Sequence, residues 1–407
     1  MKRFMLFIAM VGFVATSCSK TIVKDEVETA ISFSTESSKL TRAIVQGNVY
    51  SDAQPFGVVA YAHQGQETDL LMDTVQVAKI GNDWKSKVGK YYWPNDPTTS
   101  IDFYAYSPAI NLENASLVPN QQMRVDNFAQ ADNGAMSFEA YTHSNMYVDF
   151  MVATPVKGAT YVNPDGDANT ETASGKEGIV PVVFNHQMSQ ILFKVTTDED
   201  YGSGIIFTLK SITLKNIKDI ADFDHSYADD NTQDQYPDSH VGVWSNQDFS
   251  GQNPRRTYPI FPAAINQGAP SDERVVEGNI VYVSDVNTAN NVFTTTGVTM
   301  IPQDMAQCST KYVAGQDAIA NETAGQMFEI VYSISGTGVA NETVTKHIPF
   351  YPSAADLANQ TQNVNIVNWG PNKRITYVVK IGLNEVKFEP SVANWEDTAG
   401  NTYTFVQ

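Results

Sequence analysis

The sequence predicts an all-β protein made of antiparallel β-sandwich domains in tandem, and three observations predict it. Apolar residues recur with a period of two, turn-forming clusters separate the alternating runs, and no stretch carries a long amphipathic helical pattern. In order, the runs are "FGVVAYA" (56–62), "IDFYAYSP" (101–108), "QILFKVTT" (190–197), "IIFTLKSITLKNI" (205–217), "MFEIVYSISG" (327–336) and "ITYVVKIG" (375–382). All are rich in Val, Ile, Phe, Tyr and Thr, whose branched or aromatic side chains suit a pleated, half-buried surface. Between them lie "WPNDPTT" (93–99), "NPDGDANTETASGKEG" (163–178) and "GQNPRR" (251–256), stocked with turn residues. Only "SAADLANQTQN" (353–363) has the composition for two helical turns. Many short strands with regular turn signals imply sandwiches. The longest polar gap, 163–178, is the expected linker between two domains.

The first residues have a separate logic. Lys2 and Arg3 precede one apolar run, "FMLFIAMVGFVA" (4–15), and "TSC" (16–18) follows with small residues and a cysteine. This is the pattern of a secretory signal with its cleavage region, too short for a stable transmembrane helix. Cys18 resembles the acylated cysteine of a bacterial lipobox, which implies diacylglycerol on the thiol and a cut just before it. Two or three acyl chains, at about 0.8 kcal/mol per buried methylene, hold a protein to a membrane almost permanently.

Composition bounds the partners. Removal of residues 1–17 leaves 390 of the 407 residues and takes the net charge from −19 to −21, because Lys2 and Arg3 go with them. Such an acidic chain is a poor match for nucleic acid or for adhesion by charge alone to anionic lipid. With Cys18 lipidated, Cys308 stands alone, so stability has to come from packing and not from a disulfide.

Motifs for chemistry are sparse. The six histidines (63, 143, 186, 225, 240 and 347) are scattered, without a HExxH or HxH pair. His186, in "FNHQMSQ", reads as a hydrogen-bonded structural histidine. "DGDANTE" places Asp165, Asp167, Asn169 and Glu171 at calcium-loop spacing, but Thr170 occupies the glycine position and Lys176 the closing one, so a solvated loop is the better reading. The acidic stretch 219–238 reads as a charged surface loop. In "YYW" (91–93), Tyr91 and Trp93 alternate into a core and Tyr92 faces out. The expectation is therefore no enzyme, no metal and no cofactor.

A set of segments in fixed order carries a family resemblance. It comprises the lipobox, "ISFST" (31–35), "TRA" (41–43), "PFGVVAYA" (55–62), "YYWPNDPTTSIDFYAYSP" (91–108), "VDFMVAT" (148–154), "VVFNHQMSQILFKV" (182–195), "ITLKNI" (212–217), "MIPQ" (300–303) and "VANW" (392–395). Together they resemble the fimbrillin-type proteins that build type V pili. The resemblance implies two transthyretin-like β-sandwiches, lipoprotein export to the outer membrane, a proteolytic cut after an arginine and polymerisation by strand exchange. "KDE" (24–26) resembles an acidic surface-export signal. The implied division is a signal peptide at 1–17, a pro-segment at 18–42, and domains at 43–177 and 178–407.

On that reading the cut falls between Arg42 and Ala43, with Lys39 as the second candidate. Ile31, Phe33 and Thr35 share one face of a strand that fills a slot in the first domain until the cut removes it. After the cut, four apolar side chains on a strand added from a neighbour, at ~1.5–3 kcal/mol each, would contribute on the order of 6–12 kcal/mol. The incoming strand has a candidate at the far end: "TYTFV" alternates, with Tyr403 and Phe405 on one face and Thr402, Thr404 and Val406 on the other. It serves equally well as an ordinary strand of its own domain, whereas 385–395 reads as a native strand. The expected partners are copies of this chain or other fimbrial subunits, the outer membrane before processing, and a host or bacterial surface ligand. The alternatives are a tip or anchor protein, or a glycan-binding lipoprotein that never loses its first strand.

Overall fold

The computed structural model describes residues 29–35, 50, 52, 54–109, 125–143, 148–167, 175–197, 204–225, 242–248, 257–261, 274–276, 281–282, 297–306, 325–351, 354, 367–383 and 386–394. Within them every regular element is a strand. The first half of the chain gives β1 (Ser32–Thr35), β2 (Phe56–Gln64), β3 (Glu67–Ile80), β4 (Asp83–Ser86), β5 (Thr99–Ser107), β6 (Asp126–Gln130), β7 (Met136–Thr142), β8 (Met151–Ala153), β9 (Val156–Ala159), β10 (Ile179–Val182) and β11 (Phe184–His186). The second half gives β12 (Ser189–Thr197), β13 (Ile205–Lys215), β14 (Ile220–His225), β15 (Val243–Asp248), β16 (Tyr258–Phe261), β17 (Arg274–Val276), β18 (Val281–Tyr282), β19 (Val298–Met300), β20 (Met327–Gly336), β21 (Glu342–Pro349), β22 (Lys373–Ile381) and β23 (Val386–Asn394). The alternating runs read from the sequence became β2, β5, β12, β13, β20 and β22. Among the described residues no helix is long and apolar enough to cross a membrane.

The first sheet runs β10-β1-β4-β3-β2-β5-β8-β11, with β9 also on β5. Its two outermost strands, β10 and β11, are separated in the chain only by Val183. Such a sheet must curl until its ends meet. The curl encloses one core, in which Phe33, Phe56, Val58, Val77, Trp84, Ile101, Phe103, Val180 and Phe184 are all buried. Strand β2 is buried on both faces: Phe56, Val58 and Ala60 point into this core, and Val59 points into a second one. That explains its near-continuous apolar run. Gly57 lies opposite Tyr106, and a Cβ there would sit 2.2 Å from the tyrosine ring.

The second core forms where the curled sheet meets the four-stranded sheet β15-β14-β7-β6. Val59, Tyr106, Phe138, Phe150, Phe223 and Trp244 fill it, joined by Met188 and Ile301 from the following segments. The third core lies between two five-stranded sheets, β18-β12-β22-β23 with β19 on β12, and β16-β13-β20-β21 with β17 on β13. There the inward residues of β12 (Ile191, Phe193, Val195) meet those of β13 (Phe207, Leu209, Ile212, Leu214) and β20 (Phe328, Ile330, Tyr332).

Three expectations change. The ladders are not all antiparallel, since β1 runs parallel to β10 and β12 parallel to β22. The polar segment 163–178 joins β9 to β10 inside the first sheet, so a division at 177/178 falls within that sheet and 163–178 is not an interdomain linker. Polar turn residues mark a connection without saying whether it joins two domains or two strands of one sheet. The acidic stretch that begins at residue 219 is not a loop throughout: β14 occupies its start, with Ala221, Phe223 and His225 buried while Asp222 and Asp224 alternate away from them.

Candidate functional site

The candidate site is the slot that β1 occupies. Proximity in sequence does not build it, because β1 sits between strands that lie about 50 and 150 residues downstream. On one side, Phe33 is the antiparallel partner of Trp84 in β4. Just before it, Ala30 bridges Tyr92, the Ile31 amide donates to the Tyr91 carbonyl at 2.8 Å, and the Trp93 amide donates to the Thr29 carbonyl at 3.1 Å. On the other side, Ser32 to Thr35 pair in parallel register with Ile179 to Val182.

Gly178 forms the corner of the slot. Its φ of +73° favours glycine, and a Cβ would lie 2.8 Å from the Tyr161 ring. Its carbonyl accepts from the Trp93 indole N–H at 3.1 Å and from the Ser32 amide at 3.4 Å, and its amide donates to the Tyr161 carbonyl at 2.7 Å.

The floor of the slot is aromatic. Ile31 and Phe33 are 4% and 3% exposed, and Phe33 meets Phe56 and Phe103 edge-on, with centroids 6.0 and 5.7 Å away. Thr35 is half-buried at the end of the strand. Two buried apolar side chains hold the strand by their apolar area, contributing roughly 3–6 kcal/mol. Ser32 and Ser34 occupy the other face, and the strand ends at Thr35.

The next described residue after β1 that is buried is Tyr50. Its ring stacks on Phe184 at 4.9 Å and meets Trp84 at 5.4 Å, and its hydroxyl is 2.6 Å from the Ser107 Oγ. Burial pushes that phenol's pKa well above its ordinary value. Thr35 is paired with Val182, two residues from Phe184. Thr35 and Tyr50 therefore lie at the same corner of the sheet.

Sequence reading identified the strand but not its surroundings. Val180 and Val182 had a signal, the alternation of "IVPV", which an assignment to the second domain obscured. Trp84, Gly178 and Tyr50 had none, because long-range partners leave no mark in a local pattern. In "YYW", Trp93 is buried and Tyr91 packs against the core as expected, while Tyr92 is half-buried and belongs to none of the cores. Cys18, Lys39, Arg42, Ala43, Cys308, Thr402, Tyr403, Thr404, Phe405 and Val406 lie outside the described residues.

Other polar groups tie the sheets together. His186 Nδ1 is 2.6 Å from the Asp149 Oδ2, both side chains being almost fully buried. Burial raises the Asp149 carboxyl pKa, an effect His186 partly offsets. Farther along, His143 Nε2 donates to the Thr299 carbonyl at 2.6 Å, which leaves Nδ1 to accept from the Tyr141 hydroxyl at 3.0 Å. The Gln187 side chain accepts from the Gly242 amide and its carbonyl from the Trp244 indole. Each bond crosses between sheets or locks a junction, which is structural chemistry. Among the described residues no group of three or more His, Cys, Asp or Glu is placed to hold a metal.

A family model described as fimbrillin-like matches residues 41–395. The chain belongs to the fimbrillin-like family. Fimbrillins are components of cell-surface fimbriae, so the family places this chain in such an appendage. Solved structures that the chain matches include a fimbrial protein from Bacteroides vulgatus, 17% identical over 84% of this chain and 92% of that one, with a TM-score of 0.45. A Bacteroides ovatus protein ascribed to cell adhesion is 11% identical, with coverage of 91% and 99% and a TM-score of 0.42. The tip fimbrial protein Mfa3 of Porphyromonas gingivalis, truncated at its C-terminus, is 12% identical, with coverage of 84% and 95% and a TM-score of 0.27. No curated protein sequence matches this fimbrillin.

Proposed function

We propose that this fimbrillin is a non-enzymatic structural subunit that assembles by exchanging β1. In this reading it is exported as a lipoprotein acylated at Cys18 and held at the outer membrane. A cut between Arg42 and Ala43 then separates the lipid and β1 from the rest of the chain. The cut product keeps Tyr50 seated on Phe184, while β4 and β10 face each other across a vacancy. Their unpaired N–H and C=O groups form a template for another strand, and strand addition at such an edge is an established mode of recognition. The strand at 402–406 of a neighbouring copy, or of another fimbrial subunit, is the candidate occupant. In this reading the two curled or stacked β units correspond to the tandem transthyretin-like domains of the family. A host or bacterial surface ligand is the candidate target of the assembled fibre.

The observation that carries this reading is the position of β1. Among the described residues it is an interior strand, bonded on both sides, with Phe33 and the adjoining Ile31 buried.

The test uses the purified precursor and an arginine-specific protease. The expected result is a new N-terminus at Ala43 and ladders resistant to mild detergent, with the Arg42→Ala variant remaining uncut and monomeric. Equal polymerisation of that variant would contradict the switch. Failure of both to polymerise, with retention on an immobilised glycan, would favour the membrane-tethered binding protein instead.

A further inference from the structure

Where the second and third cores meet, a cleft of about 600 Å³ opens between β15, the segment 302–304, the segment 368–371 and Lys218. A volume of that size lies within the range of small-ligand sites. The walls come from distant parts of the chain, and hydrogen bonds lock them to one another. The Gln303 amide donates to the Trp369 carbonyl at 2.8 Å, and the Trp369 amide to the Gln303 carbonyl at 2.9 Å. Gln247 Nε2 donates to the Pro302 carbonyl at 2.6 Å, and the Lys218 amide to Gln303 Oε1 at 3.1 Å. The Trp244 indole is held by the Gln187 carbonyl at 2.7 Å. A cleft so braced has its shape before any ligand arrives, which lowers the cost of binding.

Several polar groups in the lining take no part in this bracing. Among the described residues, the side chains of Lys218, Ser245 and Asp304 have no hydrogen-bond or ion-pair partner. Asn368 uses only its Oδ1, which accepts from the Met305 amide at 3.0 Å, and Gln247 uses only its Nε2. The uncommitted groups are therefore an ammonium and an amide N–H as donors, a carboxylate and an amide carbonyl as acceptors, and a hydroxyl that does both. Apolar surface lies beside them, with Val243 66% exposed at the rim and Pro302 and Pro371 in the walls. The lining charges are one of each sign, Lys218 and Asp304. Asp222, bonded to Asn246, and Asp248, at the end of β15, keep their negative charge just outside, so an anionic ligand is disfavoured.

We infer that this cleft binds a short uncharged saccharide. Each hydroxyl of such a ligand donates one hydrogen bond and accepts others, which suits a small site where donors and acceptors are mixed. Its C–H faces suit Val243 and the proline rings. An extended peptide suits the site less well, although β15 is the end strand of its sheet among the described residues. Asn246 has a φ of +47°, and the pairing with β14 shifts register between Ile220 and Asp222. The N–H and C=O groups of β15 therefore depart from the spacing that an added strand needs, as bulges do at protected sheet edges. The inference deepens the surface-ligand part of the reading above, and it uses no residue of β1, β4 or β10.

The experiment applies the full-length precursor to an array of neutral, sialylated and sulfated oligosaccharides, with random decapeptides beside them. It is repeated with Lys218→Ala/Asp304→Ala and with Glu342→Ala/Lys346→Ala, a control that removes the same two charges from β21. None of the four side chains belongs to a core, so both variants should keep the urea midpoint of the parent. The parent and the control should retain neutral oligosaccharides, and Lys218→Ala/Asp304→Ala should bind them roughly tenfold more weakly. Ser245→Ala, which removes one exposed hydroxyl, should weaken them by about threefold. Retention of no neutral oligosaccharide, or equal retention by Lys218→Ala/Asp304→Ala and the control, would overturn the inference. So would peptides or anionic glycans held in place of neutral ones. Polymerisation after the cut is read without glycan on the same preparation, so failure of strand exchange and failure of the cleft are scored apart.

Discussion

Strands β1 and β22 occupy matching positions in two different sheets. Each is an interior strand with a parallel neighbour on one side, β10 or β12, and an antiparallel neighbour on the other, β4 or β23. They differ in depth of commitment. β22 pairs with β12 along all of its length, Lys373 to Ile381, and buries Ile375, Tyr377, Val379 and Ile381 to 1% exposure or less. β1 has four residues, a single registered pair with β4, and two buried apolar side chains. By apolar burial alone β22 is held roughly twice as strongly, about 6–12 against 3–6 kcal/mol. On the proposed exchange, the strand that stays is long and buries four apolar side chains, and the one that leaves is short and held by fewer.

The largest effect is expected in β22. The Tyr377 ring stacks on Phe193 at 5.4 Å and lies 4.8 Å from Phe350, and its hydroxyl accepts the Trp369 indole N–H at 2.9 Å. Tyr377→Ala should cost about 4–6 kcal/mol, combining the cavity with an unpaired indole. It should lower the urea midpoint of the second half of the chain. Phe33→Ala should cost about 3 kcal/mol and act locally: amide exchange at residues 31–35 should accelerate by roughly a hundredfold while the β22 amides keep their protection. If both sets of amides accelerate together, β1 is not an independent unit and the comparison fails. Thr35→Ala, at the half-buried end of the strand, should change stability by less than about 1 kcal/mol.

The strands themselves were legible because burial on one or both faces writes a period of two, or an unbroken apolar run, into the sequence. The runs at 56–62, 101–108, 190–197, 205–217, 327–336 and 375–382 all became strands. "EVKFEPSV" contributes β23, paired with β22, as a native strand should. His186 is the hydrogen-bonded structural histidine its context suggested. Partnership was not legible. Nothing in "ISFST" says that its neighbour is "IVPV", 147 residues later at Ile179, because a parallel pair is closed by the whole intervening chain. The segment 163–178 misled for a related reason, since glycine, asparagine and aspartate mark a turn without saying whether the chain returns to the same sheet.

The most direct test of β1 leaving its slot is to prevent it from leaving. Ser32 and Ile179 are partners in the parallel register, and neighbouring strands bring such Cα atoms within disulfide range. The double variant Ser32→Cys/Ile179→Cys would staple the strand to β10. After cleavage at Arg42, the oxidised form should remain monomeric and the same sample should polymerise once reduced. Polymerisation of the oxidised, cleaved protein at the rate of the reduced form would contradict the central claim.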